Sequence, residues 1–262
     1  MTAGPDDLSQ DAFLGGRLRL FQPRRGYRAA TDPVLLAAAV PARPGQAVLD
    51  LGVGAGAALF CLAARVPGLR LVGVERQPCY AALARRNAAE NGFAARIFQG
   101  DVAAPPPALR AAAFDHVISN PPYDPAGGTA PAEIGRAAAH QESLPLDVFL
   151  DHGLRRLRPG GCLTVIQRAD RLPTLLAALD GRAGDATLLP IAGRAGHAAK
   201  RILVQVRKAR RGPLRLLPPL VMHSGPAHRS DAPDFTPQAR AILRDAAALP
   251  LAPPISAGDK GA

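Results

Sequence analysis

Gln46-Ala47-Val48-Leu49-Asp50-Leu51-Gly52-Val53-Gly54-Ala55-Gly56 joins an apolar run to a glycine-rich turn. A short apolar run bounded by a turn signal reads as a strand buried on both faces. Glycines at 52, 54 and 56 let the backbone approach a ligand closely and lead into a helix. The Ala/Leu segment that follows, to Arg65, reads as that helix. The alternation continues outward. Leu69 to Val74 is a strand, and Gln77 to Asn91 a helix with Gly92 as its C-terminal cap. Arg96 to Gln99 and Phe114 to Ser119 are strands, Asp147 to Leu157 a helix, and Arg158-Pro159-Gly160-Gly161 a turn. Cys162 to Gln167 is a strand and Leu172 to Leu179 a helix. This β-α-β order implies an α/β fold, a doubly wound, mostly parallel sheet with helices on both faces. Ala186 to Ile191 and Arg201 to Arg207 have no helix between them, which predicts an antiparallel pair at one sheet edge.

The flanks are assigned more coarsely. Residues 1–11 read as a disordered N-terminus. Residues 12–45 read as a basic hairpin and a capping helix. Arg17-Leu18-Arg19-Leu20-Phe21 alternates like a strand, and Thr31-Asp32-Pro33 opens a helix to about Val40. Thr31 or Asp32 is its expected cap and Pro33 sits in its first turn. Residues 46–211 form the α/β domain and 212–262 a C-terminal extension. The extension is Pro-rich over 213–233, then carries a helix from Pro237 to Ala248, and its last residues read as frayed.

Composition narrows the function. The 262 residues are 48% hydrophobic with no Trp, so Leu, Val, Ile and Ala must build the core. No apolar run reaches membrane-spanning length. The N-terminus lacks the basic start and apolar stretch of a signal peptide. Cys61, Cys79 and Cys162 are scattered without a C-x-x-C pair, so neither a metal site nor a disulfide framework is expected. Buried thiols in a cytoplasmic protein are the default, and a monomer is the default assembly. Net charge is +11. Residues 186–230 contain no Asp or Glu and carry Lys200, Arg201, Arg207 and Lys208 among other cations. Residues 12–31 also lack acids and carry Arg17, Arg19, Arg24, Arg25 and Arg28. GC-biased coding alone can raise Arg content, but clustering into two segments favours a phosphate-binding surface. Asp124 to Ser143 is a long Gly/Ala-rich loop of the kind that is often functional. Its Arg136 and His140 are candidate RNA contacts.

Open α/β sheets bind ligands at the carboxyl ends of their strands. Asp50 and the Gly52–Gly54–Gly56 turn end the first strand. Glu75 ends the next, where an acid commonly holds ribose hydroxyls. Taken alone, this pattern also fits a dinucleotide fingerprint through Gly52, Gly54 and Ala57, which keeps an NAD-type oxidoreductase open. Asp101, after the third strand, is placed to accept an adenine amino group. Asn120-Pro121-Pro122-Tyr123, after the fourth, has no standard role in hydride transfer. It suits another chemistry. A planar amine conjugated to a ring or carbonyl is a poor nucleophile until both its N–H groups are held. Asn120 offers a side-chain carbonyl and Pro121 a backbone carbonyl. The prolines hold both rigidly. Tyr123 supplies a ring for stacking. By themselves these four residues are also a rigid turn ending a strand.

Taken together, Asp-x-Gly-x-Gly-x-Gly, Glu75, Asp101 and Asn120-Pro121-Pro122-Tyr123 resemble the class I S-adenosylmethionine-dependent methyltransferases, over roughly residues 26–207. The resemblance implies a Rossmann-like, seven-stranded sheet with its last strand antiparallel. It implies that Asp50 and the glycine turn contact the methionine end of S-adenosylmethionine, Glu75 the ribose and Asp101 the adenine. Asn120 and Pro121 would hold the target amine, with Tyr123 stacked on it.

Two families share the Asn-Pro-Pro-Tyr turn. One methylates a glutamine side chain in release factors and the other N6 of adenine in RNA. The first carries a helical domain ahead of the cofactor domain, and only 49 residues precede Asp50. Gly26-Tyr27-Arg28-Ala29-Ala30-Thr31-Asp32-Pro33-Val34-Leu35-Leu36 is similar to the corresponding segment of the bacterial tRNA(Val) adenine-37 N6-methyltransferases. That similarity places Thr31 and Asp32 close to the cofactor. The expected activity is therefore methylation of adenine N6 in RNA, a tRNA near the anticodon. Glutamine N5 methylation of a protein, an NAD-type oxidoreductase and a non-catalytic RNA-binding protein are the alternatives.

Overall fold

A computed structural model of the chain describes residues 7–122, 144–227 and 234–251. Strands β3 (Ala47–Leu51), β4 (Arg70–Glu75), β5 (Ala95–Gln99) and β6 (Phe114–Ser119) lie parallel at the centre of the sheet. β7 (Leu157–Arg168) is parallel to β6. β8 (Ala183–Ala192) and β9 (Arg201–Lys208) complete the long strands, with β9 antiparallel to both β7 and β8. Their order is β8-β9-β7-β6-β3-β4-β5, the expected doubly wound sheet with its last strand antiparallel. Two short strands, β10 (Arg215–Leu216) and β11 (Leu220–Val221), pair parallel with β8 and extend that edge.

Helices cover both faces, so the central strands are buried on both sides. All of β3 is buried, and its side chains alternate between two cores. Val48 joins the core beneath α1 (Asp32–Ala39), α2 (Ala57–Arg65) and α3 (Pro78–Glu90). Leu49 and Leu51 join the core beneath α4 (Pro107–Arg110), α5 (Leu146–Arg156) and α6 (Leu172–Leu179). A last helix, α7 (Pro237–Asp245), packs Ile242 and Leu243 into the first core. It starts on a side-chain cap: the Thr236 hydroxyl accepts from the Ala239 N–H.

The N-terminal expectation is corrected. Leu8–Phe13 is a strand, β1, paired antiparallel with β2 (Leu18–Pro23) in a separate two-stranded sheet. Its polar residues hid it, but they are partnered. The Asp11 carboxylate accepts from Gln22 at 2.6 Å and from Arg28 at 2.7 Å. The hairpin docks through two asparagines one turn apart at the end of α3. The Asn87 amide accepts from the Phe21 N–H at 2.7 Å and donates to the Phe21 carbonyl at 3.0 Å. Asn91 does the same for Arg19, at 3.1 and 2.7 Å. These amides stand in for a neighbouring strand.

Two smaller expectations also change. Residues 158–161 do not form a separate turn but belong to β7, where pairing with β6 slips between Phe114 and His116. α1 has no side-chain cap, because Thr31 is itself in a helical conformation (φ −79°, ψ −34°) rather than the extended one from which a hydroxyl caps. Asp32 instead pairs with Arg201 at 2.9 Å.

Candidate active site at the carboxyl ends of the sheet

The chain reverses its strand order between β3 and β6, the kind of switch point at which open α/β sheets bind ligands beyond the carboxyl ends of their strands. Leu51 pairs with Ser119, so the glycine turn and Asn120 leave the sheet side by side. The Ser119 hydroxyl donates to the Leu51 carbonyl at 2.9 Å and ties the two strand ends together. Gly52, Gly54 and Gly56 all have positive φ (71°, 54° and 95°). At Gly56 a Cβ would lie 2.0 Å from the Phe60 ring, so no other residue fits. At Gly54 a Cβ would meet nothing within 4 Å, so open space lies beside the turn.

Glu75 binds this turn from β4. Its carboxylate accepts from the Gly54 N–H at 3.0 Å and the Gln77 N–H at 2.8 Å. Asp50, only 2% exposed, lies next to it. Burial pushes the Asp50 carboxyl well above the usual carboxylate range, the Glu75 charge adds to this, and the Leu59 backbone N–H opposes it. Among the described residues neither acid forms an ion pair. Two buried acids without a cation, beside an open glycine turn, form a donor set suited to a positively charged ligand. Asp101, at the end of β5, accepts from the Ala103 N–H at 2.8 Å and stays partly exposed.

The Asn120-Pro121-Pro122 turn lies beside the glycine turn. Asn120 follows β6 and donates its Nδ2 to the Tyr27 hydroxyl at 3.1 Å. The Pro121 carbonyl accepts from the buried Gln167 side chain at 3.5 Å, which leaves its second lone pair available. Pro122 follows on the surface, and Tyr123 lies outside the described residues.

This geometry agrees with the comparisons. Residues 30–183 match the family model of the methyltransferase small domain. The chain belongs to that family. A tRNA1(Val) (adenine(37)-N6)-methyltransferase from Porphyromonas gingivalis is 33% identical over 211 residues, covering 77% of this chain and 83% of its own. A release factor glutamine methyltransferase from Geobacter sulfurreducens is 44% identical over 79 residues, only 30% of this chain and 27% of its own. Among solved structures, a predicted O-methyltransferase from Agrobacterium tumefaciens superposes with a TM-score of 0.69 at 28% identity, covering 84% of this chain and 98% of its own. The methyltransferase family and its fold, expected from the motifs, are borne out.

The basic residues of this methyltransferase divide into two groups. Arg24, Arg25 and Arg28 lie between β2 and α1, in the same connection as Tyr27, and Lys200 and Arg201 open β9 at the carboxyl end of β7. Both segments are on the side of the site. Arg28 is held by Asp11 and Arg201 by Asp32. Arg17 donates to the Asp245 carbonyl at 2.6 Å, and Arg19 is exposed on β2. Arg207 and Lys208 are not brought to the site. They end β9 at the opposite rim, ~20 Å along the strand from Arg201, and bind the Gly160 and Leu157 carbonyls. Arg136 and His140 fall outside the described residues.

Sequence reasoning missed Tyr27, Gln167 and Asn87 as parts of the site's frame. Gln167 carried a signal, an amide closing the apolar run of β7. Asn87 is fully buried and also donates to the Ala55 carbonyl of the glycine turn at 2.9 Å. Nothing in its helical surroundings marks it. Among the described residues no group of side chains is arranged to hold a metal, and no helix is long and apolar enough to cross a membrane.

Proposed function

We propose that this chain methylates the exocyclic N6 amine of an adenine in RNA, a tRNA near the anticodon, with S-adenosylmethionine as donor. The observation that carries the reading is the juxtaposition of Asn120 and Pro121 with the glycine turn and its acids, Asp50 and Glu75. The buried Asp50 and Glu75 pair suits the positive charge of S-adenosylmethionine, and Asp101 would receive its adenine. That molecule supplies an electrophilic methyl group on a positively charged sulfur.

The remaining work falls to the chain. Asn120 Oδ1 and the Pro121 carbonyl accept the two N6–H bonds, so the nitrogen lone pair is turned out of conjugation and held in one direction. Positioning of this kind is worth on the order of 7–11 kcal/mol in favourable intramolecular cases. Tyr123 keeps its sequence-based role as a stacking face for an unstacked base, an interaction worth roughly 1–3 kcal/mol. The substituted nitrogen sheds one proton along the hydrogen bond to Asn120 Oδ1 and on to water. No strong base is required, and His116 is not one. It bonds Gln46 at 2.9 Å, near the amino end of β3.

Incubation with undermodified bulk tRNA and labelled S-adenosylmethionine, followed by nucleoside mass spectrometry, tests the reading. N6-methyladenosine is the expected product, and Asn120→Ala abolishes it while S-adenosylhomocysteine affinity stays within a few-fold. Label in a release factor but not in RNA would replace the adenine reading with the glutamine one.

A further inference from the structure

We propose that a cleft between the β1–β2 hairpin and α7 receives the nucleotide next to the target adenine, and that Asp11 selects there a base bearing an exocyclic amine. This inference rests on the RNA reading above. The cleft encloses about 290 Å³, at the small end of ligand pockets. Phe13, Phe235 and Leu243 give it apolar walls, and the exposed Ala12 and Ala30 leave it open. It adjoins the site. Ala29 lines it, and Tyr27, two residues earlier, contacts Asn120 at 3.1 Å. Two residues of extended chain span at most about 7 Å, a gap that one unstacked nucleotide bridges.

The polar groups of the cleft are set in one arrangement. Gln22 is buried, and its side-chain oxygen accepts from the Ala29 N–H at 2.7 Å. A backbone N–H only donates, so the Gln22 amide has one orientation and its nitrogen faces Asp11. That nitrogen donates to Asp11 Oδ2 at 2.6 Å, and Arg28 donates to the same oxygen at 2.7 Å. Ser9 also donates to Oδ2, at 3.4 Å. Among the described residues Oδ1 has no hydrogen-bond partner. The carboxylate is therefore held by one oxygen and keeps the other as an acceptor.

A splayed-out base is recognised by stacking and by hydrogen bonds along its edge. Arg28 offers a fixed plane for the stacking, since it is also tied to Ser9 at 2.8 Å and to the Pro23 carbonyl at 3.1 Å. Its charge offsets that of Asp11, and the exposed Arg244 lines the same cleft as a phosphate partner. Adenine, cytosine and guanine can each donate an amine N–H to Asp11 Oδ1. Uracil has a single N–H between two carbonyl oxygens, and these would face the carboxylate.

The test measures binding of short single-stranded RNAs that differ only in the bases on either side of one adenine, by fluorescence anisotropy with S-adenosylhomocysteine present. At one of the two neighbouring positions an amine-bearing base should bind about 5- to 10-fold more tightly than uracil. Asp11→Asn keeps an oxygen for Gln22 and Arg28 but presents a donor in place of Oδ1, so the preference should reverse towards uracil. A merely structural role would weaken all the RNAs equally. Ala30→Leu, which fills the opening without touching these bonds, should abolish the preference at an unchanged melting temperature, and it decides alone if Asp11→Asn does not fold. No measurable binding, no preference in the native protein, the same preference in Asp11→Asn, or its survival in Ala30→Leu overturns the proposal. Binding needs no turnover. Base preference without methyl transfer would sink the activity reading alone, and transfer without base preference would sink this one alone.

Discussion

Asp50 sets the electrostatic character of the pocket. Burial and the Glu75 charge raise its carboxyl well above the usual range. A raised carboxylate stabilises the free protein at low pH, and that contribution is lost as pH rises through the folded value. A ligand bearing an ammonium group favours the ionised form and draws the value down. S-adenosylhomocysteine binding should therefore tighten as pH rises from the acid side and release protons. Calorimetry in buffers of different ionisation enthalpy measures that release. Proton uptake, or affinity independent of pH, would show that Asp50 does not meet the ligand's charge.

His116 works in the opposite direction. Burial lowers it to about 4, with Arg207 and Arg65 adding to the effect and Asp115 opposing it. Its Nδ1 is buried and has no partner among the described residues. A lowered histidine contributes stability that is complete above its unfolded value near 6.5 and is lost as pH falls towards 4. The whole window is worth on the order of 3 kcal/mol. Urea melts at pH 7 and pH 5 should show a smaller loss for His116→Gln than for the native residue. Equal losses in the two proteins would remove His116 as the source.

At the scale of elements, the junction of α3 with the hairpin joins the periphery to the site. Asn87 bridges β2 and the glycine turn, and its removal leaves three backbone groups, one buried and two partly buried, short of a partner. Asn87→Ala should destabilise the fold by about 3 kcal/mol. It should also speed hydrogen exchange at the Phe21 amide more than at Leu49 in β3. Uniform acceleration across both would mean that the hairpin unfolds only with the whole domain. The elements around this junction were unequally legible in the sequence. The long parallel strands announced themselves because burial on both faces demands unbroken apolar runs. β1 did not, since its run of polar residues finds partners far along the chain, Gln22 and Arg28 for Asp11 and Glu90 for Gln10.

At the scale of the whole molecule, charge placement replaces charge counting. Of the basic residues expected to bind RNA, Lys200 and Arg201 lie at the site's rim of the main sheet and Arg207 and Lys208 at the opposite rim. RNA affinity should fall steeply with salt, with each lost phosphate contact reducing the log–log slope by about 0.7–0.9. Arg25→Ala with Lys200→Ala, on the site's side, should flatten the slope, whereas Arg207→Ala with Lys208→Ala should leave it unchanged. Filter binding across a salt series distinguishes them, and a flattened slope for the far pair would extend the RNA path across the molecule.

The sequence by itself determined the α/β alternation, the glycine turn and the acids that follow successive strands, because each depends on local burial, backbone freedom or position at a strand end. It also marked Asn120-Pro121-Pro122 as a rigid pair of acceptors. Only the tertiary structure decided which groups hold those acceptors. Tyr27 lies 93 residues from Asn120 and Gln167 lies 46 from Pro121. Hydrogen bonds across such separations follow from how the strands order themselves in space, and no local pattern encodes that order.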